Sequence, residues 1–234
     1  MRVHEKFIKS SIINILNEAM HSVSACGNGM ETYPLCEYIM QSTFLQMTGF
    51  NEQKLKCILW ELATDDFEFR YKFLKNNYNE YSSYEDKKHI FNDLINEINK
   101  SDYNFSVNEI RSDLFDSVNN ECKSIFESSL MKIWLPRQYE HYIQFLETIT
   151  INKFLQGKSL FSNCLLSAYE KLYRHRNRCA HNLLSYQDNL PTLTTLNSED
   201  YKYDNWFIRF FLLVLIDEVF TRLYKIYLDS NHYF

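Results

Sequence analysis

The chain has 234 residues, of which 45% are hydrophobic and 16% aromatic, enough for one large domain or two small ones. Its 25 Lys+Arg against 30 Asp+Glu leave a net charge of -5, which argues against a protein that coats nucleic acid or an anionic membrane through bulk charge. An anionic ligand must therefore meet a local basic patch.

The N-terminus, MRVHEKFIKSSI, carries charges where a secretory signal needs an apolar run, so the expectation is a cytoplasmic protein. Ile8, Ile12, Ile15, Leu16, Ala19, Met20 and Val23 recur at helical spacing and predict one amphipathic helix, stopped by Cys26-Gly27-Asn28-Gly29. A second helix is predicted to begin after Pro34 and reach Gly49, and a third to run from Glu52 through Leu55, Ile58, Leu59 and Leu62 to Phe69 and Phe73. NNYNEYSSY breaks the pattern, and Ile90, Phe91, Leu94, Ile95 and Ile98 mark a fourth helix. Ser106-Val107-Asn108-Glu109 reads as a capping box opening a short helix through Ile110 and Leu114. Pro136 divides or kinks the helical pattern from Ile125 to Leu146. Phe161, Leu165, Ala168 and Leu172 start the next helix, residues 185 to 205 read as a loop, and a last helix runs from Trp206 to about Tyr227.

The expected fold is all-α, a bundle of about seven to nine helices in a single domain over residues 1–234. The motif-bearing core is placed at about 105–234, with a helical extension over the first hundred residues and a conceivable boundary near 100 to 106. The most apolar stretch, Trp206 to Ile216, has 11 residues and contains Arg209, too short for a membrane span of ~20 apolar residues. Six cysteines show neither a CxxC pair nor zinc-finger spacing; in a chain this large they are expected as reduced, largely buried thiols.

One segment departs from this pattern. YRHRNRCAHNLLSY, from Tyr173 to Tyr186, gathers Arg174, His175, Arg176, Arg178 and His181. The core stripe Leu165, Ala168, Leu172 leads directly to Arg176, where an apolar residue is due, and then to Cys179, Ala180 and Leu183. A guanidinium on such a stripe needs a partner. An acid such as Asp217 or Glu218 would make it structural, with Arg174 and Arg178 solvated; an anion met across an interface would make it functional.

Arg176-Asn177-Arg178-Cys179-Ala180-His181 resembles the Arg-x4-6-His signature of the HEPN superfamily, all-helical domains of prokaryotic ribonuclease toxins, abortive-infection proteins and CRISPR effectors. Asn177 directly after the arginine and Ala180 before the histidine carry the likeness, and the helical setting strengthens it. The resemblance implies a HEPN-like bundle that dimerises and brings two motifs together, RNA as substrate, and products with 2′,3′-cyclic phosphates. It also implies a role as a toxin or phage-defence effector, with an antitoxin or regulatory partner. Position 183 is leucine, where a branch of the family regulated by nucleotidyltransferase antitoxins has tyrosine, and Tyr186 is the nearest tyrosine.

The residue types suit metal-independent RNA cleavage with no cofactor. His181 is the candidate acid or base near neutral pH. Arg176 presents a planar fork to phosphate oxygens and to the developing charge. Asn177 is a candidate to orient either group. Lys171, Arg174 and Arg178 are the candidate contacts to the RNA backbone. His175 and Cys179 are too few to hold a metal, Asp65, Asp66 and Glu68 read as a solvated helix end, and no glycine-rich phosphate loop is present. Trp206, Phe207, Phe210 and Phe211 read as core or interface. The rival reading is a non-catalytic helical dimerisation or adaptor module.

Overall fold

A computed structural model describes residues 2–25, 27, 29–75, 81–103, 105–149, 154–157, 159–161, 164–181 and 205–231. They form ten α-helices and no strand among the described residues, the all-α bundle expected. The helices are α1 (Glu5–Ile8), α2 (Ile13–Ala25), α3 (Tyr33–Asp65), α4 (Phe67–Lys75) and α5 (Tyr84–Ser101), followed by α6 (Asn108–Ser128), α7 (Met131–Trp134), α8 (Pro136–Thr148), α9 (Cys164–His181) and α10 (Trp206–Asn231).

The last helix is the centre. Residues 206–217 of α10 are all buried, and Phe207, Phe210, Phe211, Leu215, Val219 and Leu223 are each 0% exposed, so its first half is enclosed on all sides and largely apolar. Such a helix must be buried all round, and α3, α5, α6, α8 and α9 pack about it. Asn205 caps its start, accepting from Phe207 N at 2.9 Å. No helix among the described residues is long and apolar enough to cross a membrane. One buried cluster runs from Ile8 to Leu228, and α3 and α5 of the first hundred residues contribute to it as fully as α6.

The first predicted helix is two, α1 and α2, because Ser10 and Ser11 bond locally in the break. Ser10 Oγ donates to Phe7 O, and Ile13 N donates to Ser11 Oγ. The helices predicted either side of Gly49 are continuous in α3, about 50 Å long at 1.5 Å per residue. The third, however, ends at Asp65, and Phe69 and Phe73 belong to the separate α4 after the extended Asp66. A single exposed glycine costs a helix only about 1 kcal/mol, and packing along α3 exceeds that. A Cβ at Gly49 would meet nothing within 4 Å. Gly49→Ala is therefore expected to raise stability by about 0.5–1 kcal/mol in urea unfolding.

The capping box is not formed at Ser106. Asn108 N reaches Ser106 Oγ at 3.4 Å, and the helix that follows, α6, is long rather than short. The serine that caps is Ser83, whose Oγ accepts from Asp86 N at 3.2 Å and donates to the Asp86 carboxylate. Pro136 divides the helical pattern as expected and opens α8 at its first turn. Cys36, Cys57 and Cys122 are buried free thiols, and Cys164 and Cys179 are partly buried ones. The predicted loop at 185–205 lies outside the described residues except for Asn205.

Candidate functional site

Helix α9 carries the basic segment. Leu165, Ala168, Tyr169 and Leu172 are 2 to 3% exposed and fix its inner face. Arg176 continues that face one turn later, with a side chain 21% exposed. Its partner is neither Asp217 nor Glu218 but Glu52 of α3. Arg176 Nη2 donates to Glu52 Oε1 at 3.1 Å and Oε2 at 3.4 Å. Asp217 is turned instead toward Lys54, and Glu218 toward Arg222. The other guanidinium nitrogen, Nη1, donates to Asn177 Oδ1 at 3.1 Å. Two edges of the fork are thus held within the chain, and the side chain is still partly open to solvent.

Glu52 is placed by its neighbour. Asn51 is 3% exposed and its Nδ2 donates to Leu213 O at 3.1 Å, pinning α3 against α10. Below the ion pair lies a cavity of about 10 Å³, the size that holds one water. Glu52, Lys87, Tyr169, Tyr173 and Arg176 line it. A nucleotide base does not fit there, so a substrate must approach Arg176 from its solvent side.

Lys87 of α5 is 3% exposed. Its Nζ donates to Tyr81 O at 2.5 Å and lies 5.7 Å from the Tyr169 ring centroid. No carboxylate reaches ion-pair distance of it among the described residues. Burial lowers its pKa to about 8, and Arg176 adds to this, while Glu52 and Asp86 oppose it. The Tyr169 hydroxyl donates to Ser82 O, closing the cavity from α9 to the turn before α5.

His181 is the last residue of α9, and its side chain lies outside the described set. Arg174 and Arg178 are exposed and Lys171 is partly buried. At about 100° per residue these three fall within about 60° of one another and about 140–160° around α9 from Arg176. None of them lines the Arg176 cavity. The fold therefore brings Arg176, Asn177 and Glu52 together and sets the other cations on a separate flank.

His175 has a structural environment. Its ring lies 5.3 Å from the centroids of both Phe44 and Trp206. Arg178 Nη2 lies 3.3 Å from His175 Nδ1, and Cys179 Sγ lies 3.4 Å from Nε2. Because a guanidinium only donates, Nδ1 is the acceptor and Nε2 carries the proton. No group of three potential metal ligands occurs among the described residues. Burial first, then the Arg209 and Arg178 charges, push the imidazole pKa down to about 2.

A histidine in the unfolded chain titrates near 6.5. Below that pH the unfolded chain binds a proton that folded His175 refuses, so stability falls as pH falls, by up to about 1.4 kcal/mol per unit. His175→Gln is expected to remove that component from urea-unfolding stability measured between pH 6.5 and 5. An unchanged slope would show that folded His175 protonates freely.

The acidic run at the end of α3 is absorbed by the fold rather than solvated throughout. Asp65 pairs with Arg2 at 2.7 Å and accepts from the Tyr227 hydroxyl at 2.9 Å. Asp66 caps α4 through Phe69 N at 2.9 Å and pairs with Lys100, and its pKa, despite burial, falls to about 2 through these bonds. The aromatic run Trp206, Phe207, Phe210 and Phe211 is core, each 3% exposed or less.

Sequence reasoning missed Glu52 and Lys87. Glu52 lies 124 residues from Arg176, and no local pattern joins them. Lys87 precedes Ile90 and Phe91 at helical spacing, so a cation on an apolar stripe was the available signal, the same one that exposed Arg176. Comparisons with protein-family models, with curated proteins and with solved structures return no match.

Proposed function

We propose that this protein is a cytoplasmic, metal-independent endoribonuclease of the HEPN type, acting as a homodimer in toxin or phage-defence biology. The observation that carries the reading is Arg176. It stands on an apolar helix face, held by Glu52 and Asn177, with a side chain still 21% exposed. That is an oriented phosphate receptor on the helix whose last residue, His181, supplies the acid–base group.

In the proposed reaction the His181 imidazole takes the 2′-OH proton, and O2′ attacks phosphorus. The bond from phosphorus to O5′ breaks, and the leaving oxygen receives a proton from the His181 imidazolium of a second copy. Arg176 stabilises the phosphorane, whose charge is greatest at that point. Asn177 orients the guanidinium. Lys171, Arg174 and Arg178 draw in the RNA backbone from the outer flank of α9. The products carry 2′,3′-cyclic phosphate and 5′-hydroxyl ends.

The second reading is a non-catalytic helical dimerisation or adaptor module of a defence or toxin–antitoxin system. The intrachain Arg176–Glu52 pair favours it, because a satisfied guanidinium is sufficient to explain the stripe. RNA cleavage by wild type and His181→Ala, with chelator present and termini analysed, separates the two. The ribonuclease reading expects cyclic-phosphate ends from the wild type and none from the variant. Equal cleavage by both, or none from a verified dimer over a broad RNA set, sinks it.

A further inference from the structure

The charges around the small cavity do not balance in pairs. Arg176 and Lys87 are two cations, and Glu52 is the carboxylate that lines the cavity with them. Arg176 holds Glu52 directly. Among the described residues, Lys87, 3% exposed, meets the Tyr81 carbonyl and the Tyr169 ring and no carboxylate at ion-pair distance, a costly place for an ammonium. Glu52 is the foremost of the charges that favour its protonated form. A lysine so deep cannot touch an RNA strand, so any role in the reaction passes through Glu52 or Arg176.

The geometry points to Lys87 as a positioning residue: it takes over the Glu52 carboxylate when Arg176 turns outward to a phosphodiester. Glu52 occupies the Arg176 fork as a resident stand-in for the phosphate. For Arg176 to leave, Glu52 would otherwise be stranded, half-buried, without a counter-ion, and that cost would be subtracted from the affinity for the anion. Lys87 supplies the counter-ion from the rear of the cavity, and Arg176 is exchanged without leaving Glu52 unpaired. The inference rests on the reading that Arg176 binds a phosphodiester.

The test measures two quantities for wild type, Lys87→Met, Glu52→Gln and Lys87→Met/Glu52→Gln. One is cleavage of an RNA oligonucleotide; the other is affinity for its 2′-deoxy analogue, which binds without reacting. Lys87→Met is expected to weaken analogue binding on the order of tenfold. Glu52→Gln, which removes the competing carboxylate, is expected to bind the analogue as tightly as wild type or more so. The double variant should match Glu52→Gln, because without Glu52 there is nothing for Lys87 to hold. An equal loss from Lys87→Met in both backgrounds, or no loss in either, overturns the role.

Arg176→Ala, measured alongside, separates the two levels of the argument. If it leaves analogue binding intact, the phosphate-receptor reading itself fails. If it abolishes binding while Lys87 is uncoupled from Glu52, only the role of Lys87 fails. Wild-type affinity between pH 7 and 9 gives a readout that does not depend on a variant folding. Lys87 faces Glu52 from α3, Arg176, Tyr169 and Tyr173 from α9, Tyr81 from the preceding turn and Asp86 on its own helix. Loss of its proton should weaken analogue binding above about pH 8; flat affinity across that range counts against the exchange.

Discussion

Lys54→Met is expected to destabilise the protein by about 3–5 kcal/mol, the largest effect of any single substitution considered. Lys54 and Asp217 are 1% and 2% exposed, and Nζ lies 2.6 Å from Asp217 Oδ1. The ammonium also donates to Ser10 O at 2.7 Å and to Thr221 Oγ1 at 2.9 Å. The second carboxylate oxygen accepts from Ile12 N at 3.0 Å. One ion pair thus ties the break between α1 and α2 to both α3 and α10. Methionine keeps the volume and leaves Asp217 charged, buried and without its cation.

The pH dependence of the deficit identifies its cause. In the variant a lone Asp217 has a folded pKa raised well above its unfolded value, so it accepts a proton as pH falls and the deficit shrinks. The loss measured by urea unfolding should be larger at pH 8 than at pH 5. Replacing Asp217 by Asn in the Lys54→Met background removes the stranded charge and should recover part of the loss. A deficit below about 1 kcal/mol at pH 8 would mean that water reaches the pair.

Arg176→Ala is expected to lower RNA cleavage by about 10²–10³-fold, the usual effect of deleting one donor to a developing oxyanion. Arg176→Lys should not restore it, since an ammonium is a point charge and cannot hold Asn177 and present a planar fork to a phosphate together. Stability should change far less than in Lys54→Met, because Glu52 is 18% exposed and keeps Lys87 beside it as a counter-ion. A variant that unfolds, or that cleaves like wild type, would assign Arg176 to architecture. In that case the adaptor reading gains, and the oligomeric mass in solution becomes the informative measurement.

The helical class and most core residues were legible before the fold, because amphipathic periodicity is a local property. Ile90, Phe91 and Leu94 repeat on one face of α5, and all three are fully buried. Element boundaries were less legible. Gly49 carries a helix-breaking tendency that tertiary packing along α3 overrides, while Ser10 and Ser11 break a helix that periodicity alone would continue. Ser106 and Ser83 head the same kind of acidic pattern, and only Ser83 caps, since local spacing does not say where the chain turns.

The sequence by itself determined that this is a helical protein with one anomalous arginine, Arg176, on an apolar face, followed by His181. Only the tertiary structure decided what answers that arginine. Glu52, Lys87 and Tyr169 come from three helices, and their charges act over a few ångströms in a poorly solvated interior. Such pairing depends on distance in space and on exclusion of water. Both arise when α3, α5 and α9 close around α10, and neither is encoded in the spacing of residues along one helix.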